Sequence, residues 1–436
     1  MKKLKNLIAL VAISLVGCSC SNDEQEFVAK QKENSELNAR SSSNQTRNYS
    51  NNSLVIKFID GVSEADKQFL RNFYEVTTYK LCSHCSDKSI ELWKFDDTIN
   101  IEPRKITIDD PTGGGMNFPL PYPYYNYIQS VDYNFEVKFA TNDAYANVNL
   151  ATSALLEYNS YIKSSNDGVT IAVFDTGLNI NGFGGEPLFL SEFLYNASSD
   201  GIPGIFSGWD FVNNDHNCLD DNPGLHGTAV TSIITEILNN DLSPVPHQIM
   251  PLKICDANGV ASYFNLLCAL NYALDRRVPV IQMSLGWYDN DSGDLVDNIF
   301  LDLMSDHPDT TIICSAGNNW SNNDTTIHCP SGYDINNIIA VASCNALATD
   351  ISSWSNYGAT SVDFFAVGEN INFSGISIEG TSFAAPKVAA MVAKIKHLNP
   401  SITNDQLIDA LLDLGIYCSP SFSDGRPVLY NKILVP

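Results

Sequence analysis

Basic residues are scarce in this 436-residue chain: 25 Lys and Arg stand against 50 Asp and Glu, a formal net charge of −25. Such a chain has no general positive field with which to hold nucleic acid, so no nucleic-acid partner is expected. Charged residues are only 17% and hydrophobic ones 44%. That excludes a disordered chain, because so much apolar surface can bury itself in a core. The apolar run Leu7–Val16 is too short to cross a bilayer comfortably. No internal repeat is visible. The C-x-x-C at Cys82-Ser83-His84-Cys85 lacks the second pair that a zinc site needs, and reads as a local disulfide or two idle thiols.

What is present begins with an address. Three lysines within Met1–Lys5 precede the short apolar run, as in a secretory signal peptide. The run ends in Leu15-Val16-Gly17-Cys18, which resembles a bacterial lipobox. The resemblance implies cleavage before Cys18, acylation of Cys18 and a membrane partner through that anchor, since two or more acyl chains hold stably. It places the chain outside the cell, on the outer membrane or cell surface, and processing could release it. Residues 18–52 are polar and close to low complexity near Ser41–Asn52, and read as a flexible tether.

Ser53–Phe58 alternates and is rich in branched residues, a strand pattern. Ser63–Tyr74 starts with Ser-x-x-Asp and has helical spacing. Ile90–Phe95 reads as a second strand, so 53–98 forms a small domain. Residues 99–150 hold the Pro, Gly and Tyr-rich stretch Asp109–Tyr127, which cannot be regular helix, and read as a connector. From 151 to 436 apolar strand-like runs (169–174, 248–254, 278–283, 310–315, 338–343, 362–367) alternate with helical patterns (227–238, 262–275, 293–305, 381–397, 403–413). That texture predicts an α/β domain with a mostly parallel sheet covered by helices on both faces.

Three short motifs sit on this scaffold: Asp175-Thr176-Gly177 after the first strand, His226-Gly227-Thr228 opening a helix, and Gly380-Thr381-Ser382-Phe383-Ala384-Ala385-Pro386 opening another. A serine hydroxyl is a weak nucleophile at neutral pH and needs a base, which in turn needs an orienting carboxylate. Asp, His and Ser are those types, and a helix N-terminus at Ser382 favours developing negative charge.

The segments VTIAVFDTG, LHGTAV and GTSFAAP, in the order Asp, His, Ser, resemble the three signature motifs of the subtilase family, with His226 and Ser382 156 residues apart. Ser315-Ala316-Gly317-Asn318-Asn319 resembles the family segment that carries the side-chain oxyanion donor, which falls on Asn318. The resemblance covers about 150–420. It implies a subtilisin-like fold and a serine endopeptidase in which Ser382 attacks, His226 shuttles the proton, Asp175 orients it and Asn318 holds the oxyanion, with no cofactor required. It also implies a peptide or protein substrate bound as an extended strand along Ser284-Leu285-Gly286 and beside Ala316 and Gly317. The opposite wall is Lys253–Tyr263, with Gly259 in its strand and Tyr263 lining a distal subsite. Asn319 and His328 would lie near the primary pocket. The family's second motif histidine is missing and Phe383 replaces a frequent Met, neither of which touches the triad. The unit at 53–98 resembles a subtilase propeptide, which implies a zymogen held by its own propeptide as an intramolecular inhibitor and cut between about 98 and 150.

Other residues read more plainly. Cys255, Cys314 and Cys344 fall on strand patterns as core residues; His84, His216, His247, His307 and His397 read as surface or loop residues. The Asp and Asn of 213–222 could hold structural calcium or simply form a solvated loop. A second reading of the whole is a catalytically silent surface lipoprotein that uses the same cleft for binding.

Overall fold

A computed structural model describes residues 49–82, 85, 88–111, 120–138, 168–180, 193–197, 207–239, 244–288, 298–417 and 427–429. The leader, Cys18 and most of the tether lie outside the described residues.

The N-terminal unit consists of β1 (Tyr49–Phe58), α1 (Glu64–Phe73), β2 (Thr78–Leu81), β3 (Ile90–Lys94), α2 (Ile101–Asp109) and β4 (Ile128–Lys138). The Ser63 side chain caps α1 by accepting the Asp66 backbone N–H. Residues alternate along the sheet. Leu54, Ile56, Phe58 and Trp93 face the two helices, whereas Val55, Leu92, Phe135 and Val137 face the larger domain. At its centre Arg71 is buried against Glu91, with Nη2–Oε1 at 2.6 Å and Nε–Oε2 at 2.9 Å, and Trp93 Nε1 donates to the same carboxylate. Burial alone would lower the Arg71 pKa; hydrogen bonds and charge from Glu91 and Glu64 outweigh it and hold the pKa above its ordinary value.

Two expectations are corrected here. Residues 49–52 belong to β1 rather than to a tether. The stretch expected as a connector over 99–150 holds α2 and β4: Pro103 sits in the first turn of α2, where no intrahelical N–H is needed, and β4 pairs antiparallel with β1 through Leu54↔Tyr133 and Ile56↔Val131. Helix is absent, as expected, from the described part of 110–127, apart from a single 3-10 turn at Tyr124–Asn126.

The larger domain is built on a nine-stranded sheet; the domain's strands and helices, including five short strands outside that sheet, follow in chain order. They are β5 (Val169–Asp175), β6 (Trp209–Asp210), α3 (His226–Asn239), β7 (His247–Lys253), β8 (Val260–Ser262), α4 (Tyr263–Asp275), β9 (Val280–Met283), β10 (Trp287–Tyr288), α5 (Asn298–Ser305), β11 (Thr311–Ser315), β12 (His328–Cys329) and β13 (Ile338–Cys344). After them come β14 (Phe364–Val367), β15 (Ile371–Phe373), β16 (Ile376–Ile378), α6 (Thr381–Leu398), α7 (Asn404–Leu414), β17 (Ile416–Tyr417) and β18 (Pro427–Leu429). The sheet order is β17-β18-β14-β13-β11-β9-β5-β7-β6, parallel except for β17 against β18. Helices α3, α6 and α7 cover one face and α4 and α5 the other, as the near-continuous apolar strands predicted. His247, expected at the surface, is instead buried on β7 with Nδ1 2.7 Å from the Val245 carbonyl.

The two parts share one core. Asp132 of β4 accepts the N–H groups of Asn298 and Ile299 at the start of α5, and Asn134 accepts that of Phe264 at the start of α4. Both are side chains of one unit capping helices of the other. Cys82, expected to pair locally or stay reduced, is disulfide-bonded to Cys268 of α4, 186 residues on. The local reading failed because C-x-x-C spacing carries no information about a partner so far along the chain.

The Arg71–Glu91 pair generates a stability prediction. Glu91→Gln removes the buried counter-ion of Arg71 and leaves it only the largely exposed Glu64, which costs about 3 kcal/mol. The urea midpoint of the uncut Ser382→Ala chain, followed by tryptophan fluorescence, is expected to fall accordingly. An unchanged midpoint would contradict the assignment.

Candidate active site

The residues that carry chemistry gather at the carboxyl ends of the parallel strands, where α/β sheets place their ligands. Asp175 is the last residue of β5, between β7 and β9. Its Oδ1 accepts the Thr176 N–H at 2.7 Å and lies 2.7 Å from Nδ1 of His226, the first residue of α3. Both side chains are buried. The approach needs a glycine after the histidine: a Cβ at Gly227 would come within 2.4 Å of the Gly177 carbonyl oxygen. The start of α3 is fixed by Asp220, which accepts the Thr228 N–H at 3.0 Å and hydroxyl at 2.7 Å. Burial pushes the Asp220 pKa up, and the hydrogen bonds from Thr228 and Thr176 recover part of that shift. Beneath them Lys253 buries its ammonium against the Thr176 carbonyl and Asp221, 2.6 Å from each.

Ser382 is the second residue of the 18-residue helix α6. Pro386, four residues on, has no N–H to give the Ser382 carbonyl. The Ser284 hydroxyl donates to that carbonyl instead at 2.8 Å, and Ser382 Oγ lies 3.4 Å from the Ser284 carbonyl. The neighbouring Phe383 ring is 5.5 Å from the His226 ring. Asn318 Oδ1 accepts both the Thr381 N–H at 2.9 Å and the Thr381 hydroxyl at 2.7 Å. With its oxygen so held, the amide can only turn its NH2 away from Thr381.

The end of β4 lies between the two walls expected to bind substrate. On one side Glu136, Val137 and Lys138 pair antiparallel with Ser262, Ala261 and Val260 of β8. On the other, the Gly286 N–H donates to the Lys138 carbonyl at 2.9 Å and the Lys138 N–H to the Gly286 carbonyl at 3.4 Å. Tyr263 is fully buried beneath this strand, its ring stacked on Phe135 at 4.6 Å and its hydroxyl donating to Asp132. Leu285 is buried in the same cluster. Gly259, expected within the strand, sits instead in the turn before β8 with φ +76°, a left-handed conformation that favours glycine.

Beyond Gly286 the surroundings are polar. His328 is buried, with Nδ1 2.8 Å from Ser331 Oγ, and a Cβ at Gly286 would come within 2.3 Å of its ring. Burial pushes its pKa down to about 4. Tyr288 packs edge-on against it and donates to Asn319, and burial pushes the phenol up to about 12.

A family model described as the subtilase family matches residues 166–414, more than half of the chain. The chain belongs to the subtilase family. Among curated relatives of this subtilase, the thermophilic serine proteinase of Bacillus sp. (strain AK1) is 29% identical over 288 residues, 62% of this chain and 63% of that protein. Thermitase of Thermoactinomyces vulgaris is 27% identical over 282 residues, 61% of this chain and 88% of that protein. The chain spans 66% of the thermostable alkaline protease of Halalkalibacterium halodurans. Among solved structures, fervidolysin from Fervidobacterium pennivorans superposes with a TM-score of 0.59 at 15% identity, covering 89% of this chain and 61% of that one. The shared fold is subtilisin-like.

The structure thus joins Asp175 to His226, Ser382 to Ser284 and Asn318 to Thr381, with Ala316 and Gly317 held beside Asn318 by Asn356 and Thr381. Asn356 is a residue that motif reading missed. Fully buried, it donates to the Ala316 carbonyl, to Asn323 and to Tyr288, and accepts the Asn319 and Ser321 N–H groups. No spacing in the sequence marks it. The loop at 213–222 directs its buried oxygens to protein donors. Asp220 accepts from Thr228 and Asn222 Oδ1 accepts the Gly224 N–H, while Asn222 Nδ2 donates to the Ala257 carbonyl. Among the described residues no three His, Cys, Asp or Glu side chains are grouped for a metal ion. Cys255, Cys314 and Cys344 are buried thiols.

His328 carries a pH prediction. The unfolded chain binds a proton near pH 6.5 that the folded imidazole refuses until about pH 4. Stability is therefore full above pH 6.5 and falls as the pH drops towards 4, by about 3 kcal/mol at the limit. In a Ser382→Ala background, His328→Gln is expected to flatten the fall in urea midpoint between pH 7 and pH 4.5. Equal falls with and without His328 would contradict this.

Proposed function

We propose that this subtilase is a serine endopeptidase made as a precursor, exported as a lipoprotein anchored at Cys18 and restrained by its own N-terminal unit. The observation that carries the reading is the buried 2.7 Å contact between Asp175 and His226, set beside a serine at a helix N-terminus and an amide locked by Thr381.

Ser382 Oγ attacks the substrate carbonyl carbon, and its proton passes to His226 Nε2. Asp175, already on Nδ1, fixes the tautomer and stabilises the imidazolium. The tetrahedral oxyanion is held by the Asn318 NH2 and the Ser382 backbone N–H, where the dipole of α6 also favours it. His226 returns the proton to the leaving amine, and water hydrolyses the acyl-enzyme by the same relay. No metal or cofactor takes part in any step. Losing an oxyanion donor costs about 100- to 1,000-fold in rate and losing the nucleophile on the order of a million-fold, the sizes known for subtilisin.

Substrate would lie extended between β8 and Ser284–Gly286, taking its backbone hydrogen bonds from the edges that β4 now uses. A chain with β4 in that place cannot admit substrate, which is the reason for reading the N-terminal unit as an inhibitor. The precursor is cut C-terminal to Lys138, because a cut within 128–138 would sever a strand hydrogen-bonded on both sides. The acyl anchor at Cys18 would keep the N-terminal unit on the outer membrane or cell surface.

Intact mass after treatment with a fluorophosphonate tests this. Wild type is expected to lose its N-terminal unit from the reduced peptidase chain and gain one adduct, and Ser382→Ala to stay full-length and unlabelled. A full-length, unlabelled wild type would contradict the reading and leave a silent binding protein.

A further inference from the structure

Three cysteines meet at the seam between the N-terminal unit and the peptidase domain, away from the triad. Cys82, just after β2, is bonded to Cys268 in the middle of α4. Cys85 is a thiol, and its Sγ lies 3.5 Å from the Cys268 carbonyl oxygen. All three are buried in one apolar cluster. The Lys88 ammonium sits 3.3 Å from the Cys82 carbonyl, at the rim of the same site. Cys82 therefore has two sulfur partners within its own surroundings, one across the seam and one three residues along its own chain.

We propose that Cys82, Cys85 and Cys268 form a thiol–disulfide exchange centre that clamps and unclamps the N-terminal unit. The Cys85 thiolate attacks Cys82 Sγ; the Cys82–Cys85 bond forms as the Cys82–Cys268 bond breaks. Cys268 leaves as a thiolate and takes up the proton that Cys85 gave. One disulfide is consumed and one is made, so neither an oxidant nor a reductant enters. Burial in one apolar cluster keeps dissolved thiols from the bond and makes Cys85 the attacking group at hand.

The exchange alters connectivity alone. With Cys82 on Cys268 the N-terminal unit is covalently part of the peptidase, and cutting the backbone releases nothing: β4 stays beside Gly286. With Cys82 on Cys85 the disulfide lies wholly within the N-terminal unit, and a cut chain can part. The release step rests on the precursor reading above; the exchange itself does not.

The two are separated by one experiment on the full-length chain. Ser382→Ala, which cannot cut itself, is incubated at pH 8 in increasing sub-denaturing urea, its thiols are trapped with N-ethylmaleimide, and its disulfides are mapped without reduction. The expected result is a Cys82–Cys268 peptide giving way to a Cys82–Cys85 peptide, with alkylation moving from Cys85 to Cys268 in equal measure. Cys85→Ser, or Cys85→Ala should serine disturb the packing, is expected to abolish the second peptide entirely and retain the first. In processed wild type the same Cys85 variants are expected to keep both fragments joined on a non-reducing gel until reductant is added. A Cys82–Cys268 peptide that never yields to Cys82–Cys85, a chain in which Cys82–Cys268 is absent from the start, or fragments of a Cys85 variant that part without reductant would each overturn the proposal. A wild type that stays uncut would overturn the precursor reading and leave the mapping of Ser382→Ala to decide the exchange.

Discussion

The structure depends on one strand that belongs to two sheets. Residues 128–135 of β4 complete the N-terminal sheet against β1, while residues 136–138 pair with β8 and exchange both backbone hydrogen bonds with Gly286. The strand cannot shift by one residue without turning Phe135 and Val137 out of the shared core and Asp132 away from α5. That single register sets where the N-terminal unit sits, which edges of the cleft are covered and which helices its side chains cap. It also ties the N-terminal unit to the larger domain. Backbone hydrogen bonds at the cleft are backed by Phe135 stacked on Tyr263, by two helix caps and by a disulfide.

The placement of Asp175, His226 and Ser382 is likewise a consequence of where a parallel sheet ends. Asp175 closes β5, while His226 and Ser382 open the helices on the face opposite β4. Each needs a local concession. Gly227 lets α3 approach β5, Pro386 leaves a carbonyl that Ser284 satisfies, and Thr381 turns the Asn318 amide. These supports surround Asp175, His226 and Ser382 with buried polar groups that have defined partners, which keeps such groups rigid in a low-dielectric interior.

The α/β core was legible because its strands are apolar throughout and its helices are long enough to show their period. All six strand patterns and five helix patterns fall on observed elements, with ends moved by a few residues; residues 293–297 of the third helix pattern lie outside the described residues. The family was legible because Asp175, His226, Asn318 and Ser382 lie in short contiguous motifs. What escaped has a common cause: it depends on distant partners. β4 turns Val131 to the helices and Phe135 and Val137 to the larger domain, with a register irregularity between them, so no single alternation runs through it, and the Pro, Gly and Tyr-rich stretch before it masked the rest. Asn356 has no local signature, His247 reads as polar although β7 buries it, and Cys82 gives no hint of Cys268. Gly259 lay one residue outside the strand assigned to it because a turn and a strand end look alike in sequence.

Amide hydrogen exchange of the uncut Ser382→Ala chain tests the shared strand most directly, since backbone protection reports hydrogen bonds in place. The account predicts that the amides of Lys138, Gly286 and β8 exchange slowly and together, and become fast at β8 and Gly286 once the N-terminal unit is removed. Fast exchange at Lys138 and Gly286 in the uncut chain, with β1 still protected, would contradict it.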